Sequence, residues 1–208
     1  MAFKREWLKY YTRMPKLENM NIYMVADPAS SQSKRSDYTC YWVIGYNEDK
    51  NYYILDGYHD KATMRDRVDV LFELHRKWKP INVAYERYGM MEDINYIKDK
   101  QAEEGYSFKI TEVAGSFSKE SRIKRLQADF ENGRIILPEK LNKVNWEYKK
   151  VDLVKEFVDE YNAFPVSTHD DMLDSLSRIK DISTFYPEAA ENYEADDYDY
   201  ERDSVTGY

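Results

Sequence analysis

Asn21-Ile22-Tyr23-Met24-Val25-Ala26-Asp27-Pro28 is an apolar, β-branched and aromatic run that ends on an acid and a proline. Such a run reads as a buried strand, and its terminal aspartate is either a turn former or a group presented at a sheet edge. Two further runs of the same kind follow, Cys40 to Tyr46 and Tyr52 to Tyr58, separated by a Ser-rich loop and by the turn Asn47-Glu48-Asp49-Lys50. Three consecutive strands with short connections make an antiparallel meander.

Beyond the meander the period of the apolar residues changes from two to about 3.6. Met64, Val68, Leu71 and Trp78 predict a helix over 62–78 that Pro80 closes. Asn82 to Glu86 reads as a short central strand, Met90 to Glu104 as a helix stopped by Gly105, and Ser107 to Val113 as a fifth strand. A third helix is expected over Lys119 to Glu131, with Ile123, Leu126 and Phe130 as its apolar stripe and Gly133 as its stop. An extended piece at Ile135 to Pro138 precedes predicted helices over Trp146 to Tyr161 and Asp170 to Ile182. The order predicts an α/β domain, a mixed five-stranded sheet with helices on both faces, which is the ribonuclease H-like arrangement.

The chain has 208 residues, enough for one such domain over 21–186, with a linker-like segment at 1–20. From Pro187 to Tyr208 eight acids face the single base Arg202, so this Tyr-rich tail carries −7 of the formal net charge of −8. The tail is expected to be disordered, and the nearly neutral body keeps room for a local basic strip facing a polyanion. Cys40 is the only cysteine and excludes an intramolecular disulfide or a Cys-rich zinc site; it is expected to fill a strand position in the core. His59 and His75 lack the neighbours of a zinc site. No apolar run is long enough for a membrane span and the N-terminus lacks a secretory pattern, so an intracellular protein is expected.

Three acids stand where phosphodiester chemistry needs them. Asp27 and Glu86 each end an apolar strand, and Asp171 lies in Thr168-His169-Asp170-Asp171 at the entrance to the last helix. An ordinary reading exists for each: turn former for Asp27, surface glutamate for Glu86, and helix capping for Asp171. Asp170, Asp171 and Asp174 crowd one helix entrance, and like charges so placed destabilise a fold unless a cation joins them. Two divalent ions about 3.5–4 Å apart can activate a water and stabilise a leaving oxygen, and magnesium or manganese prefers carboxylate oxygens. The set Asp27, Glu86 and Asp171, with Asp170 and Asp174 as outer ligands, suits that chemistry.

Val25-Ala26-Asp27-Pro28-Ala29, Asp37-Tyr38-Thr39, Ala84-Tyr85-Glu86 and His169-Asp170-Asp171-Met172-Leu173-Asp174-Ser175-Leu176 together resemble the nuclease motifs of tailed-phage terminase large subunits. Lys119 to Leu126 and Phe130 to Ile135 resemble that family's stretch between its second and third acids. The resemblance implies an endonuclease that cuts concatemeric viral DNA with Mg2+ or Mn2+, acting in the cytoplasm of an infected bacterium. It also implies double-stranded DNA, a packaging ATPase domain, a portal and a small terminase subunit as partners, and no membrane. It places the catalytic roles on Asp27, Glu86 and Asp171; helical periodicity alone leaves Asp170 and Asp171 equal. No Gly-x-x-x-x-Gly-Lys-Ser/Thr loop occurs, and Phe3-Lys4-Arg5-Glu6-Trp7 resembles the linker after the family's ATPase, so an excised or separately encoded nuclease half is expected.

For DNA binding the sequence offers Lys119, Arg122, Lys124 and Arg125 on the third helix, and Lys34 and Arg35 in the Ser-rich loop. A basic strip of this kind holds phosphates without reading bases. Asp37 and His169 are supporting candidates beside the acids. The rival readings are a junction resolvase or another ribonuclease H-like nuclease, and a non-catalytic module that binds DNA or packaging partners.

Overall fold

The computed structural model describes residues 3–28, 38–87, 92–115, 117–166 and 170–187. The meander is formed by β2 (Met20–Asp27), β3 (Thr39–Asn47) and β4 (Tyr52–Asp60), after a short β1 (Lys9–Tyr11). Helix α1 (Met64–Trp78), β5 (Asn82–Glu86), α2 (Glu92–Glu104) and β6 (Ile110–Val113) follow. The remainder comprises α3 (Lys119–Lys124), α4 (Gln127–Glu131), β7 (Ile135–Pro138), β8 (Asn142–Val144), β9 (Lys150–Asp152), α5 (Leu153–Ala163) and α6 (Asp171–Ser177).

The main sheet runs β1-β7-β4-β3-β2-β5-β6, so the five expected strands are extended to seven by β7 and β1 on the far side of β4. β1 lies parallel to β7, and Phe3 and Trp7 enter the core. Alternation along β2 and β3 sends side chains to two separate cores, as the pleat requires. Tyr23, Val25, Trp42 and Ile44 pack with residues of α4, α5 and α6 on one face, while Met24, Ala26, Tyr41 and Val43 meet α1 and α2 on the other. Cys40 is fully buried in β3. Gly57 pairs with Trp42 across β3 and β4, and a Cβ there would stand 2.7 Å from the indole; only glycine leaves that ring its place.

Three helices differ from expectation. The helix expected over Trp146 to Tyr161 begins only at Leu153, as α5, and the residues before it form the turn and second strand of the β8–β9 hairpin. The Asn145 carboxamide accepts from the amides of Glu147 and Lys149, and Tyr148 takes φ +59°, so a tight turn competes successfully with the helix start. The Lys119 to Glu131 helix is divided into α3 and α4 by tighter three-residue bonds from the Arg125 and Leu126 amides back to the carbonyls of Arg122 and Ile123. The last helix ends at Ser177 and tightens into a 3-10 turn over Arg178–Asp181.

Candidate metal centre

Parallel pairing of β2 with β5 puts Ala26 opposite Tyr85, so Asp27 and Glu86 emerge side by side at the carboxyl edge of the sheet. The third element is α6. Its start is held by the Glu160 carboxylate, which accepts from the amides of Met172 (3.0 Å) and Leu173 (3.3 Å). Its flank is fixed to β3 by the Trp42 indole donating to Met172 O (3.0 Å) and the Ser175 hydroxyl donating to Cys40 O (2.9 Å). Docked this way, α6 turns Asp174 toward the strand ends. Oxygens of Asp27, Glu86 and Asp174 all lie within 4.8 Å of one another, and the three residues are 8%, 3% and 2% exposed.

Burial pushes the Asp27 carboxyl well above its ordinary range, reinforced by the negative charges of Glu86, Asp174 and Asp171; only Lys119 opposes the shift. Burial likewise raises Glu160 to about 7, against the pull of His59 and of the α6 amides. The other two acids of the trio have arginine partners. Arg178 Nε donates to Glu86 Oε2 at 2.8 Å and its Nη2 to Oε1. Arg122 grips Asp174 in the same way, Nε to Oδ1 at 2.9 Å and Nη2 to Oδ2 at 2.6 Å. Lys119 Nζ lies 2.6 Å from Asp170 and 2.8 Å from Asp171, both of which are partly exposed. Acids therefore outnumber the cations that hold them at this centre, and the surplus is what a divalent ion would offset. The donors are hard oxygens and Asp27 has no hydrogen-bond or ion-pair partner among the described residues, so the chemistry fits Mg2+ or Mn2+.

Residues 24–179 match the model of the terminase RNaseH-like domain. The chain belongs to this family. The human cytomegalovirus terminase nuclease domain has the same fold at 12% identity, with 86% of this chain and 93% of that one aligned and a TM-score of 0.63. A manganese-soaked form of that viral domain aligns at TM-score 0.57 over 84% and 92%, also at 12% identity. The large terminase nuclease of thermophilic phage G20c with bound zinc aligns at TM-score 0.55, 20% identity, over 83% and 92%. No curated protein sequence matches significantly.

Within this terminase domain the expected site residues separate. Asp27 and Glu86 stand together as expected, Asp174 joins them in the buried trio, and Asp171, assigned the third role by resemblance, flanks the trio beside Asp170 under Lys119. The basic strip does not face outward as a unit. Arg122 is 9% exposed and turned onto Asp174, and Arg125 donates to Asp181 at 2.7 Å. Lys124 remains half-exposed beside Glu120. Lys34, Arg35, Asp37 and His169 lie outside the described residues, as does the tail beyond Pro187. Arg178 and Glu160 were not foreseen. Arg178, one turn after Asp174, bonds Glu86, 92 residues away, as well as its near neighbour Asp181.

Proposed function

We propose that this domain is a metal-dependent DNA endonuclease that cuts concatemeric viral DNA during genome packaging. The observation that carries the reading is the trio of buried carboxylates, Asp27, Glu86 and Asp174, gathered within 4.8 Å at the sheet's carboxyl edge. Burying three acids together is costly without a cation, and a buried surplus of acids that arginines only partly neutralise is what a divalent ion would stabilise. Asp27, Glu86 and Asp174 would hold the ion, and Asp171 and Asp170 would complete the ligand set on the exposed side, where a second ion would bind. Bound there, Mg2+ or Mn2+ supplies Lewis acidity to the phosphate and lowers the pKa of an attacking water. The cytomegalovirus nuclease domain was soaked with manganese and the G20c nuclease bound zinc, which supports a divalent-ion site on this fold.

The chain's own residues do the rest. Arg122 and Arg178 pair with Asp174 and Glu86, Lys119 and Lys124 offer positive charge at the rim, and Lys34, Arg35, Asp37 and His169 belong to the same proposal as flanking DNA contacts or supports. Double-stranded DNA is the proposed substrate; a packaging ATPase, a portal and a small terminase subunit are the proposed partners, in the cytoplasm of an infected bacterium. No helix among the described residues is long and apolar enough to cross a membrane. Supercoiled plasmid incubated with Mn2+ is nicked and then linearised by the parent, and Asp27→Asn lowers the rate by roughly 10²–10³, the scale of losing one group that stabilises transition-state charge. Equal residual cleavage by both proteins would leave a non-catalytic module as the better reading. Faster cutting of a four-way junction or an RNA–DNA hybrid than of linear duplex would favour a resolvase or ribonuclease H.

A further inference from the structure

We propose that Arg122 and Arg178 form a paired guanidinium clamp that orients Asp174 and Glu86 for metal coordination, an assignment that rests on the metal-dependent reading above. Each arginine engages both oxygens of its acid, and each is itself held at a third point. Arg122 Nη1 donates to Phe117 O at 2.9 Å, and Arg178 Nη1 donates to Asp181 Oδ2 at 2.9 Å. At 9% and 1% exposure neither side chain can swing into solvent. The loop backbone also packs against both forks: a Cβ on Gly115 would lie 2.8 Å from Arg122 Nη1 and 3.5 Å from Arg178 Nη2.

The consequence for the carboxylates is geometric. An ionised carboxylate has about four lone-pair sites, and a guanidinium fork takes two of them in a fixed plane. What remains on Glu86 and Asp174 is therefore restricted in direction, and the two acids are placed beside an Asp27 that has no such partner among the described residues. A lysine could keep the charge but not the plane, because its ammonium is a point donor without a fork. Buried ion pairs contribute little net stability relative to apolar replacements, so their value here is orientation.

The test uses the 208-residue chain and direct Mn2+ titration by calorimetry, with melting in EDTA recorded alongside. Arg178→Lys and Arg122→Lys weaken Mn2+ binding about 10–100-fold, as loss of an outer-shell partner does, and their cleavage rate recovers when Mn2+ is raised. Gly115→Ala keeps every charged group and crowds the outer nitrogen of the Arg122 fork; it also weakens Mn2+ binding, by several-fold, with little change in melting. Folded lysine variants that bind Mn2+ within about twofold of the parent would overturn the clamp and leave the pairs as simple supports. Should the lysine variants fail to fold, Gly115→Ala decides: unchanged Mn2+ affinity overturns the proposal. A parent chain that binds no Mn2+ overturns the metal-dependent reading itself, and the clamp with it.

Discussion

Replacing Asp27 by asparagine stabilises the metal-free protein. Asp27 is 8% exposed, has its carboxyl pushed well up by burial and by Glu86, Asp174 and Asp171, and lacks the arginine partner that each other member of the trio has. Asparagine keeps the size and removes the charge, and its amide can donate to the two carboxylates within 4.8 Å. Relief of an uncompensated buried charge is worth about 1–3 kcal/mol, and at about 2–4 °C per kcal/mol for a domain of this size the melting temperature rises by roughly 2–12 °C. The pH dependence follows from the direction of the shift. The folded state holds the Asp27 proton more tightly than the unfolded chain does, so the parent's stability falls as pH rises from ~4 through the folded-state value, and the advantage of asparagine grows over the same interval. Mn2+ reverses the order. At 100 times its dissociation constant a ligand stabilises by about 2.7 kcal/mol, a gain the parent receives and the variant largely loses. Thermal melts of both proteins at pH 5 and pH 8, in EDTA and in Mn2+, measure all four quantities. An asparagine variant less stable than the parent in EDTA at pH 8, or stabilised equally by Mn2+, would refute the account of the trio as a strained acidic centre.

Trp42→Phe loosens α6, because it removes the donor to Met172 O and the edge contact with Phe157; a cost of about 1–3 kcal/mol in urea unfolding is expected, with weaker Mn2+ binding. Asp56 is 1% exposed; burial pushes its carboxyl up, but Lys143, Lys77 and the Trp78 indole outweigh burial and hold it below its ordinary range. Asp56→Ala therefore costs about 1–3 kcal/mol at pH 7, because the Trp78 indole and the Gly57 amide lose their acceptor while Lys77 and Lys143 can return to water, and the penalty shrinks as pH falls through the folded-state value, where the parent loses the same interactions. Urea titrations at pH 7 and pH 3 check both the size and the sign.

The strands and both strand-end acids were legible because the evidence for them is local. An apolar run closed by an acid shows itself within eight residues, and once the meander and the crossover are recognised, the parallel pairing of β2 and β5 brings Asp27 and Glu86 together. The hairpin at 142–152 was missed because its decisive feature, the Asn145 carboxamide capturing two amides, competes with a helical period that its neighbours also satisfy. Which acid of the last helix joins the trio was beyond the chain pattern, since Asp170, Asp171 and Asp174 all crowd its first turn.

By itself, then, the sequence determined a mixed sheet with helices on both faces, a resemblance to terminase nucleases, and a concentration of carboxylates with no matching histidines or cysteines. Tertiary structure decided which carboxylates face one another, and it brought Arg122, expected on an outward basic strip, together with Arg178 into the inner lining of the centre. The reason is physical: secondary structure follows from the period of nearby residues, whereas an ion pair between groups 52 or 92 positions apart depends on how α3 and α6 rotate as they pack against the sheet.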